Sequence, residues 1–88
     1  MNKRYNCGEL LSPALQALIE KKVDRLEKKF DLEDANIDIS MSKDGKEYVL
    51  KMQLASKRHN VIAKAVNGDM YKNIDECIDK LSSQIVHK

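Results

Sequence analysis

The chain holds two cysteines and two histidines, the residue types most often found at nucleophilic, redox and metal-binding centres. Cys7 and Cys77 lie far apart in the sequence, with no CxxC or Cys/His cluster around either. That spacing argues against structural zinc and for two reduced thiols, Cys77 as a small buried hydrophobe. His59 falls in a polar turn and His87 near the last residue, and neither has a carboxylate placed to orient it as a general base. No Gly-rich phosphate loop, HxxxH pair or GxSxG elbow is present. The expectation is a protein that is not an enzyme, needs no metal or cofactor and has no small-molecule substrate. The chemistry left to it is charge. Lys21, Lys22, Arg25, Lys28 and Lys29 crowd one short stretch, with Lys72 and Lys80 near the end of the chain.

What these cations do depends on the helices that carry them. Ser12-Pro13 is an N-cap followed by proline at the first helical position, where a missing N–H costs nothing. Leu15, Ile19, Val23, Leu26 and Phe30 then recur at helical spacing, which predicts a helix from Pro13 to Lys29 that stops near Asp31. On a wheel with Leu15 at zero, the apolar stripe covers about 0–80°, and Glu20, Asp24 and Glu27 fall at about 100–180°. All five cations fall at about 220–340°. One flank is acidic and the other basic. A solvated surface with i,i+4 pairs such as Asp24–Lys28 is the ordinary account of charged helices. Solvation alone, however, predicts interspersed signs, whereas an unbroken basic flank suits a polyanion whose counterions are released on binding. The residues leave both readings open.

The closing segment is also an amphipathic helix. Asp69 is placed as its N-cap, and Met70, Ile74, Ile78, Leu81 and Ile85 form its stripe. Lys72, Lys80 and His87 make a thinner basic strip, diluted by Glu76 with Asp75 and Asp79 nearby. Between the helices, residues 35–42 alternate apolar and polar, as does the run through Tyr48, Leu50, Met52 and Leu54. Lys43-Asp44-Gly45-Lys46 supplies a hairpin, read as type I′ about Asp-Gly. The polar turn Ser56–Asn60 leads into a strand at 61–66, whose Val61, Ala63 and Ala65 would let a helix approach closely if they face inward. Residues 2–7 read as a short first strand, parallel to the second through the helical crossover. The expected fold is α+β, a two-layer β-α-β-β-β-α arrangement with two helices packed on one face of a four-stranded sheet.

Bulk properties set the outer limits. Eighty-eight residues with 42% apolar content suffice for one aliphatic core, so 1–88 is expected to be a single domain. Lys and Arg exceed Asp and Glu by only 16 to 14, so the distribution of charge matters more than its sum. No run approaches the length of a membrane span and no signal-peptide pattern precedes the fold, so no membrane partner is expected and the location is expected to be cytoplasmic.

Asp69-Met70-Tyr71, Ile74-Asp75, Asp79-Lys80-Leu81 and Gln84 resemble the DMYxAID…DKLxxQ signature of the bacterial ribosome hibernation-promoting factor and protein Y family, which has also carried the label sigma-54 modulation protein. Ser12-Pro13-Ala14-Leu15 and Leu26-Glu27-Lys28-Lys29-Phe30 are similar to its first helix. The resemblance implies a domain that docks on the small ribosomal subunit in the mRNA and tRNA channel, silencing translation in stationary phase or stress. It implies that Lys22, Arg25, Lys28 and Lys80 lie near 16S rRNA phosphates; the wheel itself adds Lys21 and Lys29 on the same flank and Lys72 as a secondary contact. Ser83 stands where the family has Arg, and the segment before Ser12 lacks the usual strand sequence. Because the family has short and long forms, this chain is expected to be either a short form or the N-terminal domain of a longer one, monomeric as it stands. A general double-stranded RNA-binding module and a non-catalytic protein–protein adaptor are the alternatives.

Overall fold

Strand alternation, two capped helices and one Asp-Gly turn account for nearly every element of the computed structural model, which describes residues 1–86. The chain runs β1 (Asn2–Asn6), α1 (Pro13–Phe30), β2 (Asn36–Asp44), β3 (Glu47–Ala55), β4 (Asn60–Asn67) and α2 (Met70–Val86). A single 3-10 turn at Gly8–Leu10, unanticipated from the sequence, follows β1 and leaves Cys7 just outside the strand. The sheet order is β1-β2-β3-β4, with β1 parallel to β2 and the others antiparallel.

Helix boundaries follow their caps. Ser12 Oγ accepts from the Leu15 N–H at 3.2 Å, and Pro13 occupies the first turn. At the other end Asp31 adopts the left-handed conformation (φ 56°), while its own N–H and that of Leu32 return to the Glu27 carbonyl. This arrangement swings the buried Leu32 under the helix end. In α2, Asp69 Oδ1 accepts from the Tyr71 N–H at 2.9 Å, the capping role its position suggested.

The hairpin corrects one expectation. Its central residues are Gly45 and Lys46, since Asp44 pairs with Glu47, and among the described residues φ is positive at Gly45 (64°) but not at Lys46. Positive φ at the first central residue alone is the pattern of type II′ rather than the type I′ read about Asp44-Gly45.

All buried apolar residues of the strands lie on one face. Ile37, Ile39 and Met41 of β2, Leu50, Met52 and Leu54 of β3, and Val61, Ala63 and Ala65 of β4 meet Ile19, Val23 and Leu26 of α1 and Met70, Ile74, Cys77, Leu81 and Ile85 of α2. Helix α2 lies over β3 and β4, with α1 beside it. The alanines of β4 do face inward, as a close approach requires. Two polar groups fasten α2 to β3. Asn73, buried in the core, donates through Nδ2 to the Tyr48 carbonyl at 3.0 Å, and the Cys77 thiol reaches the Leu50 carbonyl at 3.5 Å. Asn73 takes an inner position, whereas Ile78, which the spacing places in the apolar stripe, is only partly buried. Helix α2 is therefore rolled so that Ile78 faces the seam with α1.

Ala65 is buried and pairs with Leu50, whose carbonyl receives the Cys77 thiol, so it lies beside the point where α2 is fastened to β3. Ala65→Leu forces α2 off the sheet and costs about 1–3 kcal/mol, read as a fall in melting temperature of roughly 4–8 °C per kcal/mol. An unchanged melt would show that α2 does not depend on the small side chain.

Burial pushes the Cys77 thiol up to about 11, with Glu76 adding and Lys80 opposing. Tyr5 is held at about 12 by burial first and then by Glu20, Cys7 and Asp24. Both folded values exceed the ordinary 9.0 and 10.0, so the folded chain keeps protons that the unfolded chain releases. Stability from these groups is complete below about pH 9 and falls as the pH rises toward about 12. Melting temperatures taken across that window should decline steadily, and thiol reagents should label neither buried cysteine near neutral pH until the protein unfolds. A flat profile or rapid labelling contradicts the assignment.

Candidate nucleic-acid interface

Charge segregation on α1 has two structural outcomes, one on each flank. The acidic flank turns toward β1. Lys3 Nζ lies 2.9 Å from Asp24 Oδ1, the Met1 ammonium lies 3.4 Å from Glu27 Oε2, and Glu20 and Asp24 raise the Tyr5 pKa. Asp24 thus meets a strand lysine rather than Lys28, the i,i+4 partner that a merely solvated surface would offer it. These acids serve to dock the first strand, and no ligand is needed to explain them.

The basic flank turns the other way. Lys22, Arg25 and Lys29 line one wall of a shallow groove between the helices, with Ile78, Asp79 and Ser82 of α2 opposite. Lys21 and Lys28 extend this wall onto the exposed outer surface of α1. Among the described residues no ion pair engages Lys21, Arg25, Lys28 or Lys29, while Lys29 Nζ rides 5.3 Å over the Phe30 ring. Lys22 is different. Its ammonium is held at 2.9 Å by Asp75 across the seam. Exposed cations with free donors on one side of a groove form a surface able to neutralise successive phosphates.

Helix α2 contributes less than α1, and its lysines diverge. Lys72 is exposed on the solvent side near the start of the helix. Lys80 points away from α1. Its ammonium donates to the Lys64 carbonyl at 2.8 Å and pairs with Glu76 at 2.9 Å, while Gln84 Nε2 donates to the Ile62 carbonyl at 2.7 Å. Each side chain covers one outward carbonyl of the edge strand β4. His87 lies outside the described residues. His59, expected at the surface, is half-buried, and its Nδ1 is enclosed without a partner among the described residues. The structure therefore brings together Lys21, Lys22, Arg25, Lys28 and Lys29, leaves Lys72 apart and occupies Lys80 elsewhere. Sequence reasoning counted Asp75 only as diluting the basic strip of the second helix and missed it as the partner of Lys22 across the seam. Its position on the α1-facing side of α2 becomes visible only once the roll of that helix is known.

A family model described as sigma 54 modulation protein / S30EA ribosomal protein matches residues 10–88. Among curated proteins none matches the chain. A solved ribosomal subunit interface protein from Coxiella burnetii is similar at TM-score 0.86 and 27% identity, over 99% of this chain and 96% of that one. The Protein Y N-terminal domain of Thermus thermophilus is similar at TM-score 0.83 and 27% identity, over 99% and 98% of the respective chains.

Asp75 competes with any polyanion for Lys22, and Asp79 adds negative charge to the same groove. Asp75→Asn should leave the melt almost unchanged, because exposed ion pairs contribute only about 0–1 kcal/mol. It should tighten RNA binding about two- to fivefold at low salt, the effect of removing one charge at close range in water. Fluorescence anisotropy with a labelled RNA at fixed ionic strength measures this, and weaker binding would show that the pair positions Lys22 productively.

Proposed function

The chain belongs to the sigma 54 modulation protein / S30EA ribosomal protein family, and from that premise we propose that it binds the small ribosomal subunit and inhibits translation as a hibernation factor. The site proposed is the mRNA–tRNA channel, occupied in stationary phase or stress. The family match covers most of the chain, and both solved relatives, one described as a ribosomal subunit interface protein, share the whole fold. The observation that carries the reading is the exposed basic wall of α1, whose Lys21, Arg25, Lys28 and Lys29 have no ion-pair partner among the described residues.

In this reading those four residues contact 16S rRNA phosphates, Lys22 joins them when Asp75 yields it, and Lys72 contributes at the margin. Lys80 adds charge near the edge of the footprint while remaining tied to β4. The role is one of occupancy and requires no catalytic group. Phosphate contacts position a protein without reading bases, which suits a partner recognised by the shape of its channel.

Sedimentation with purified small subunits tests this directly. The wild-type protein should pellet with them at low salt and leave the pellet as salt rises, the signature of counterion release. R25E/K28E/K29E should lose binding on the order of a hundredfold, since three phosphate contacts are reversed, with circular dichroism and melting temperature nearly unchanged. If the wild-type protein stays at the top of the gradient at low salt, the ribosomal reading fails. If the triple variant unfolds, the basic wall is structural instead.

A further inference from the structure

The uncovered face of the sheet carries a feature that the fold does not use. In register across three strands lie Ser40, Lys51 and Lys64, with Asn6 of β1 beside Ser40. Lys51 and Lys64 are thus directly opposite each other, and both are exposed. The carbonyls of Ile62 and Lys64 point to the free edge, where Gln84 and Lys80 reach them. Lys64 and Lys51 therefore form a non-hydrogen-bonded pair, the arrangement in which cross-strand side chains stand closest. Like charges in that position oppose folding. Among the described residues neither ammonium has a carboxylate partner. On the same face, one row along, Arg4 pairs with Asp38 at 3.7 Å.

Most of the polar groups around the two lysines can donate, Asp38 being the exception. A shallow groove brings the lysines together with Asn6, Ser40 and Ser42, and an adjoining one brings Lys51 together with Arg4, Gln53 and the carboxylate of Asp38, which Arg4 engages at 3.7 Å. Lysine, arginine, asparagine, glutamine and serine are the side chains that hold phosphate oxygens in protein–nucleic acid complexes. The strand positions on this face include no aromatic residue, so it offers no platform for stacked bases. We infer that Lys51 and Lys64 form a second RNA contact, on the side of the domain opposite the α1 wall, that grips backbone phosphates without reading sequence. The inference rests on the reading that the chain binds rRNA, and it extends that reading from one face of the domain to two.

K64E is the informative substitution, because it turns a repulsive cross-strand pair into an attractive one. It should raise the melting temperature while weakening binding to small subunits by about threefold or more. K51Q/K64Q should weaken binding similarly and make the log–log salt dependence shallower by about 1.5, the loss of two phosphate contacts. A fluorescent oligouridylate serves as a second probe. If the wild-type protein fails to pellet with subunits yet binds oligouridylate in a manner abolished by K64E, the ribosomal reading falls and the sheet contact stands. If R25E/K28E/K29E loses subunit binding while K64E and K51Q/K64Q keep wild-type affinity and salt slope, the sheet contact is overturned alone. Loss of binding to polyglutamate by K64E, with RNA and subunit binding intact, would overturn it in favour of an acidic protein partner. A fall in melting temperature for both variants would assign the lysines a packing role and overturn it as well.

Discussion

Helix α2 lies where it does because β4 presents Ala63 and Ala65 to it, and much else follows from that seat. The short side chains let the helix descend until Asn73 and Cys77 reach backbone carbonyls of β3 and Lys80 and Gln84 reach those of β4. A buried asparagine is tolerable only with a partner, so Asn73 ties the depth of α2 to the position of Tyr48. Once that depth and roll are set, Ile78 and Asp75 face α1, and the groove between the helices acquires its mixed wall. The candidate interface is therefore a by-product of how small two residues on another strand are.

Helix α1 divides its work by flank. A helix lying beside another on one sheet face has one side against its neighbour's seam and one toward the far strands. On the acidic side of α1, Asp24 meets Lys3 and Glu27 meets the chain's amino terminus, so two of its three charges are neutralised within the fold. The cations are left in excess on the other side, and a protein with a net charge of only +2 presents a concentrated basic surface. The acids do not dilute this surface because the architecture has turned them elsewhere. Near-neutral composition and a strong local field are compatible for that reason.

Much of this was legible from residue types in order. The Ser12-Pro13 and Asp69 caps, the alternation in β2 to β4 and the two helical stripes specify element order, layers and pairing, since each depends on neighbours in sequence. What escaped depends on neighbours in space. Asn73 lies inside and Ile78 only partly so because the roll of α2 is decided by Tyr48 and α1, which a helical wheel does not contain. Lys22 and Lys80 looked equivalent to their basic neighbours until Asp75 and the Lys64 carbonyl appeared beside them. The opposition of Lys51 and Lys64 required the register across the Ser56–His59 turn. That register is held by Ser56, which bonds to His59 through its backbone and accepts the N–H groups of Arg58 and His59 through its hydroxyl. The basic wall itself was readable because five cations on one helix need only helical geometry to be placed.

The side chains laid over β4 bear on how copies of this sheet could associate. A filament built by strand addition needs two open edges, one to offer and one to receive, because each contact joins unlike surfaces and repeats without closing. Here Lys80 and Gln84 occupy two outward carbonyls of one edge, and the short β1 forms the other. A strand added at the β4 edge would have to displace both side chains, whereas a β1-to-β1 contact meets no such cover and is closed by its own symmetry. Two side chains that a binding map would discount therefore oppose growth through the sheet at the β4 edge.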